Sequence, residues 1–311
     1  MAGRGSAATG DNGSARVAMA VHGGAFNIPP ADAAIFRLGC RAALEAGLAV
    51  LDAGGSSLDA VEAAVRLMES HGAFDAGYGS FLDEDGEVSL DAGMMDGGTL
   101  ATGSVAAVQG VRHPVSLARK VLESEYAVIV GPGAHRYAER HGVETCDPAE
   151  LIHERERARW LASGGSQVAP GWAAELFGDT VGAVALDAAG NLAAATSTGG
   201  SPGKPKGRVG DSPFVGAGVF ADNRSAAVST TGHGELIIPL VWSKEAANLV
   251  ARGVPAPEAA SAAVGILGRL DARAGLIMVD PAGRVGVAYN TPAMAYAFRS
   301  AGTTEIVDSP R

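Results

Sequence analysis

The chain has 311 residues, 47% of them hydrophobic, which is enough for one large α/β domain or two ordinary ones with a sizeable core. Its formal charge of −10 sets an acidic surface against phosphate backbones and argues against general nucleic-acid binding. Two cysteines, Cys40 and Cys146, make no disulfide framework and have no metal-ligand spacing, and they fit a reducing, cytoplasmic setting.

Residues 1–16 are rich in Gly, Ser, Ala and Asn and lack the apolar run of about 7–15 residues that a secretory signal needs. They read as a disordered tail ahead of a single domain, 17–311. No apolar stretch approaches the ~18–20 residues of a membrane span. Val17 to Val21 predicts a short buried strand running into the His22-Gly23-Gly24-Ala25 loop, where glycines let backbone approach a site closely. Apolar spacing predicts helices over 32–53 and 57–70. Next comes the glycine-punctuated stretch Phe74 to Ser80, then a hairpin with strands near Phe81-Leu82 and Val88–Leu90 about an Asp85-Gly86 turn.

Further strands are predicted at 103–108 and 126–130, with helices from Pro114 to Leu122 and from Ala134 to Arg140. Residues 147–178 read as a charged helix fading into a mobile linker over 155–179. After it come strands at 180–186, 192–197 and 225–230, helices at 239–251 and 256–270, and strands near 275–279 and 284–289. Strands in two groups with helices between and after suggest sheets covered by helices on their outer faces.

Chemistry concentrates around the strand that opens at Thr180. A threonine inside a chain has no adjacent base, but cleavage of the Asp179–Thr180 bond would free an α-amine with a pKa of roughly 7.7–8.0 beside the hydroxyl. A threonine paired with its own N-terminal amine is an activated nucleophile. The Asp187-to-Asn191 turn makes a hairpin whose outer end brings Thr198 towards Thr180. In Gly207-Arg208-Val209-Gly210-Asp211, a cation and a carboxylate three residues apart form either a loop salt bridge or a clamp for a zwitterion. Ser229-Thr230-Thr231-Gly232-His233-Gly234-Glu235 ends a strand with hydroxyls and backbone N–H groups suited to an oxyanion hole. His22, His113 and His233 have no metal spacing and read as loop or core residues. Gly131-Pro132-Gly133 lacks the rest of a phosphate loop, which argues against nucleotide binding.

These segments, with Phe74–Ser80, Leu90–Gly97, Gly190–Gly200 and Gly275-Leu276-Ile277, resemble the plant-type asparaginase/isoaspartyl peptidase family of N-terminal nucleophile hydrolases from about residue 17 to 300. The resemblance implies an α+β fold, an αββα four-layer sandwich of two mainly antiparallel sheets, cleaved into residues 1–179 and 180–311. It implies Thr180 as nucleophile, Asp179–Thr180 as the bond cut, Thr198 as its hydrogen-bonding partner, and Thr231 with Gly232 as oxyanion hole. It also implies Arg208 and Asp211 as grips on the substrate α-carboxylate and α-amine, with Gly232 and Gly234 against the substrate.

The substrates implied are L-asparagine and isoaspartyl dipeptides, without an organic cofactor, in a homodimer of α/β heterodimers that engages neither nucleic acid nor membrane. A structural Na+ is implied on the backbone carbonyls of Met68, Glu69, His71, Phe74, Ala76 and Tyr78. One departure stands beside the nucleophile, where Asp75 occupies a position at which the family usually has Asn. Two rival readings remain. A glycosylasparaginase shares the Asp-Thr junction but differs at Ser197-Thr198-Gly199-Gly200, and a silent aspartyl-amide-binding homologue would leave the chain uncut.

Overall fold

The computed structural model describes residues 17–164 and 180–309. The N-terminal tail, most of the segment before Thr180, and Asp179 itself lie outside the described residues.

In chain order the strands are β1 (Ala18–Phe26), β2 (Leu90–Asp96), β3 (Thr102–Val108), β4 (Val128–Val130), β5 (Val181–Leu186), β6 (Leu192–Thr198), β7 (Val219–Ala221), β8 (Ala227–Gly232), β9 (Ala274–Val279), β10 (Val285–Tyr289), β11 (Ala293–Arg299) and β12 (Val307–Asp308). The helices, numbered in the same way, are α1 (Ala33–Asp52), α2 (Ser57–Ser70), α3 (Pro114–Leu122), α4 (Gly131–Arg140), α5 (Glu154–Ala162), α6 (Gly234–Leu240), α7 (Trp242–Ala251) and α8 (Ala256–Leu267). Eight strands form one sheet in the order β12-β11-β1-β5-β6-β2-β3-β4, antiparallel except for the β3–β4 pair. A second, antiparallel sheet runs β10-β9-β8-β7.

Helices α1, α2 and α3 pack on one face of the large sheet, while α7 and α8 pack on the small sheet, and the two sheets meet between them. Period-two alternation sorts the central strands between two cores. Met19, Val21, Val181, Ala183, Ala193 and Ala195 point towards the first helices. Ala18, Ala20, Val184, Leu186, Leu192 and Ala194 point towards the small sheet. Both faces are buried, so these strands read as unbroken apolar runs, and their alanines let the layers approach closely. This is the four-layer αββα arrangement. The alternation puts Thr180 and Thr198 on the inter-sheet side of β5 and β6, because each shares the parity of residues that pack there.

Several sequence expectations are corrected. His22 to Phe26 is not a loop but continues β1, with a bulge between His22 and Ala25. The expected strands at 81–82 and 88–89 are absent, although the Asp85-Gly86 turn itself forms, closed by Asp83, which accepts the Asp85 and Glu87 N–H groups at 3.0 and 2.9 Å. The predicted helix 239–251 is two helices meeting at Val241, whose φ of +47° breaks the run after Pro239. The mobile linker expected from 155 begins too early, since Glu154–Ala162 is helix, held down by buried Glu156 under Arg155 and Arg159. The remainder of that linker, 165–179, lies outside the described residues. Strands β7, β11 and β12 were not anticipated.

Candidate active site

Thr180 immediately precedes β5 and is 7% exposed. Its Oγ1 donates to Thr198 Oγ1 at 3.2 Å, and Thr198 in turn donates to Asp75 Oδ2 at 3.2 Å. Thr198 Oγ1 also accepts the Gly200 N–H at 2.9 Å, and Asp75 Oδ1 accepts that of Phe81 at 2.8 Å. Antiparallel pairing of β5 with β6 sets Val181 opposite Ser197, so the hairpin ends bring the two threonines together. The expected Thr180–Thr198 neighbours therefore stand in contact, and Asp75 closes the chain behind them.

Burial pushes the Asp75 carboxyl up to about 7, against the Phe81 N–H and the nearby charge of Lys204; Glu156 pushes the same way as burial. The folded chain thus holds a proton on Asp75 well above the ordinary 3.8, so it binds more protons than the unfolded chain between those values. Stability from this group is full below pH 3.8 and is lost as pH rises through about 7. Asp75→Asn removes that slope. Urea denaturation at pH 4 and pH 8 should therefore show the variant gaining stability relative to the wild type at the higher pH; parallel curves would contradict this.

Thr231 lies at the same end of the molecule. It pairs with Gly275, and a Cβ built on Gly275 would sit 2.9 Å from the Ala25 Cβ. Ala25 lies just past Gly23, the partner of Val181. Thr231 is fully buried at the end of β8. Gly232, at φ +146°, turns the chain where a Cβ would meet Arg273 O at 2.5 Å and Ala274 Cα at 2.6 Å. Only glycine fits that approach.

The loop carrying Arg208 and Asp211 is pinned to the large sheet from beneath. Thr196 of β6 donates to Ser212 O at 2.7 Å, and Ser104 of β3 donates to Pro213 O at 2.6 Å. The loop salt-bridge alternative is corrected here, because each charge has another partner. Arg208 Nε and Nη2 reach Glu235 Oε1 at 2.8 and 2.7 Å. Asp211 Oδ2 accepts from Thr230 Oγ1 at 3.0 Å. Burial raises Asp211 to about 6, opposed first by the Thr230 hydroxyl. An ammonium beside it would restore the charged form. Burial would also raise Glu235, but the charge and hydrogen bonds of Arg208 outweigh it and hold that carboxyl below its usual range. Gly234 closes on Asp211, where a Cβ would lie 2.9 Å from Oδ1.

Sequence reasoning gave no role to Lys204, Glu235 or Thr230. Lys204 is 3% exposed, donates to Ser89 O at 2.8 Å, and has its pKa lowered by burial against the pull of Asp91 and Asp75. A lysine in a Gly/Pro loop carries no sign that it is buried. Glu235 was legible only as the end of the strand-and-turn stretch that contains Thr231. His113 is a buried partner of Glu69, with Nδ1 at 3.2 Å from Oε2.

In the expected sodium loop, two of the six carbonyls already accept backbone donors: Met68 from His71 and Glu69 from Tyr78. The set is otherwise neutral oxygen, the chemistry that suits a hard cation. Among the described residues no cluster of three or more His, Cys, Asp or Glu side chains could hold a metal. Nor is any described helix long and apolar enough to cross a membrane.

A family model described as Asparaginase matches residues 15–307. The rat protein named isoaspartyl peptidase/L-asparaginase is 41% identical over 280 residues, covering 89% of this chain and 84% of the relative. Its Xenopus laevis counterpart is 39% identical over 280 residues, covering 89% and 90%. The plant-type L-asparaginase of Pyrococcus abyssi is 40% identical over 306 residues, covering 93% and 98%. A model match over nearly the whole chain, and relatives this similar across most of both lengths, make the chain a member of the asparaginase family.

Proposed function

We propose that the protein is a self-cleaving threonine amidohydrolase that releases L-aspartate from L-asparagine and isoaspartyl dipeptides. The observation that carries the reading is the hydroxyl chain from Thr180 through Thr198 to Asp75 at the mouth of β5, in a chain of this family. The names of the relatives, isoaspartyl peptidase/L-asparaginase and plant-type L-asparaginase, support the substrate class.

In this reading cleavage after Asp179 frees the Thr180 amine, which takes the Oγ1 proton as Oγ1 attacks the substrate side-chain carbonyl. The Thr231 hydroxyl and Gly232 N–H stabilise the oxyanion. The amine then protonates the departing ammonia or amino acid, and water hydrolyses the β-aspartyl ester by the same steps. Arg208 holds the α-carboxylate and Asp211 the α-ammonium, with Gly234 leaving room beside Asp211. A substrate therefore needs both free charges, which an internal peptide bond lacks. The carbonyls of Met68, Glu69, His71, Phe74, Ala76 and Tyr78 would hold a sodium that stiffens the 71–78 loop carrying Asp75. Assembly as a homodimer of cleaved heterodimers and a cytoplasmic location belong to the same proposal.

Ammonia release from L-asparagine, aspartate release from a β-aspartyl dipeptide, and no turnover of glycosylated asparagine are the expected results. Turnover of the glycosylated substrate alone would favour the glycosylasparaginase reading. Glu235 orients Arg208, so Glu235→Gln should raise KM for L-asparagine about three- to tenfold with kcat nearly unchanged. Equal losses in kcat would place Glu235 in the chemical step instead.

A further inference from the structure

Helix α5 and the residues just ahead of it hold the segment 72–86 at several points. Leu151 O accepts the Gly79 N–H at 3.2 Å, and the His153 and Tyr78 rings stand 5.2 Å apart. Arg155 Nη2 donates to Gly72 O at 3.1 Å and to Ala73 O at 3.3 Å. Trp160 Nε1 donates to Asp83 O at 3.0 Å, and its ring covers Gly86, where a Cβ would lie 3.0 Å from the indole. One short helix thus reaches both the loop that carries Asp75 and the turn that follows it.

The Arg155 contact has its own support. Arg155 Nε donates to Glu156 Oε1 at 2.5 Å, and Arg159 Nη1 donates to the same oxygen at 3.0 Å. Glu156 is buried, so its carboxylate fixes the guanidinium plane and leaves a second edge of the fork for the two carbonyls. Ala73 is two residues before Asp75, whose Oδ1 accepts the Phe81 N–H and whose carbonyl accepts the Gly199 N–H at 3.1 Å. Arg155 therefore sets the backbone from which Asp75 reaches Thr198. Trp160 acts on the other loop, because the turn it holds is stitched to residues 203–206. The Gly203 N–H donates to Leu82 O at 2.8 Å, the Glu84 N–H to Lys204 O at 3.0 Å, and the Lys206 N–H to Glu84 Oε1 at 2.9 Å. Pro205 O in turn accepts the Arg208 N–H at 2.9 Å.

We propose that Arg155 and Trp160 are positioning residues with separate targets. Arg155 holds Asp75 in the hydroxyl chain that ends on Thr180, and Trp160 holds the loop from which Arg208 grips the substrate α-carboxylate. Both act through backbone, Arg155 on the carbonyls ahead of Asp75 and Trp160 on the turn that carries 203–206. Asp75 stands behind the attacking hydroxyl, so its displacement weakens the chemical step, whereas displacement of Arg208 weakens substrate binding. The proposal rests on the reading of Thr180 as nucleophile and Arg208 as carboxylate grip of an amidohydrolase.

Steady-state kinetics on the full chain, with kcat counted per cleaved chain, test it. Arg155→Lys keeps a charge beside Glu156 but cannot replace the fork. It should lower kcat for L-asparagine about tenfold or more with KM within about threefold. Trp160→Phe keeps a ring against Gly86 and loses the N–H, and it should raise KM about three- to tenfold with kcat within about twofold. Arg157→Ala, exposed on the same helix, should change neither constant. Should Arg155→Lys fail to fold, Arg155→Gln combined with Glu156→Gln removes the paired charges together and reads the same arm. Hydrogen exchange should quicken in peptides spanning 74–81 for the Arg155 variants and in those spanning 203–208 for Trp160→Phe. Variants that melt earlier yet keep wild-type kcat and KM, the same change in both constants at both positions, or exchange that quickens equally in the two regions would overturn the proposal. A wild-type chain that releases no ammonia would overturn the amidohydrolase reading instead, and the exchange pattern would still decide whether the two arms are separate.

Discussion

Thr180→Ala is expected to abolish hydrolysis of L-asparagine, by at least about 10⁴-fold in kcat, the scale on which loss of a covalent nucleophile is felt. The same variant should remain a single uncut chain, because in the proposed mechanism the hydroxyl that attacks the substrate is also the one that attacks the bond before it. Thr180 is buried, and its hydroxyl is spent on Thr198, so the substitution removes one hydrogen bond from a β5 otherwise held on both sides. The fold should survive with a loss of about 1 kcal/mol. Thr180→Ser keeps the hydroxyl and should keep both cleavage and turnover. Intact mass and an ammonia-release assay on the two variants separate chemistry from folding. A Thr180→Ala protein that is cleaved or active would remove Thr180 from the mechanism.

The second large effect is expected at Thr231. Thr231→Val preserves shape in a fully buried position while removing the hydroxyl assigned to the oxyanion. Losing one such donor costs about 10²–10³ in kcat, because the charge it meets exists only in the transition state. KM should move little, since the proposed mechanism gives the ground-state grip to Arg208 and Asp211. A steady-state kcat–KM split on L-asparagine checks this. A large rise in KM at constant kcat would reassign Thr231 to substrate binding.

Much of this architecture was legible in the residues. The apolar runs of β5 and β6, joined by the Asp187–Asn191 turn, specified a hairpin, and a hairpin places Thr198 beside Thr180 whatever surrounds it. The periodicities of α1 and α2 likewise match their observed spans to within a few residues. Long-range partnerships were not legible. Arg208 and Asp211 sit three apart in sequence and suggested either a mutual pair or a clamp for a zwitterion, and the fold supplies Glu235 to one and Thr230 to the other. His22 read as a loop or core histidine after a five-residue strand, and it is buried in the core. Its real constraint comes from Ser229, more than two hundred residues away, and from the absence of a side chain at Gly182. The Asp85-Gly86 turn promised a hairpin because its local chemistry is right. The turn forms, closed by Asp83, but residues 81–82 and 88–89 on either side of it belong to no strand. In each case local chemistry determined the neighbour along the chain, and the layered packing determined the neighbour across it.

The central claim is that the bond before Thr180 is cut by the chain itself. Intact mass of the purified, denatured protein, with N-terminal sequencing of the smaller fragment, tests it most directly. The account predicts two fragments, residues 1–179 and 180–311, the second beginning at Thr180 and the one that carries the nucleophile. A fully active protein that remains a single chain of 311 residues would contradict it.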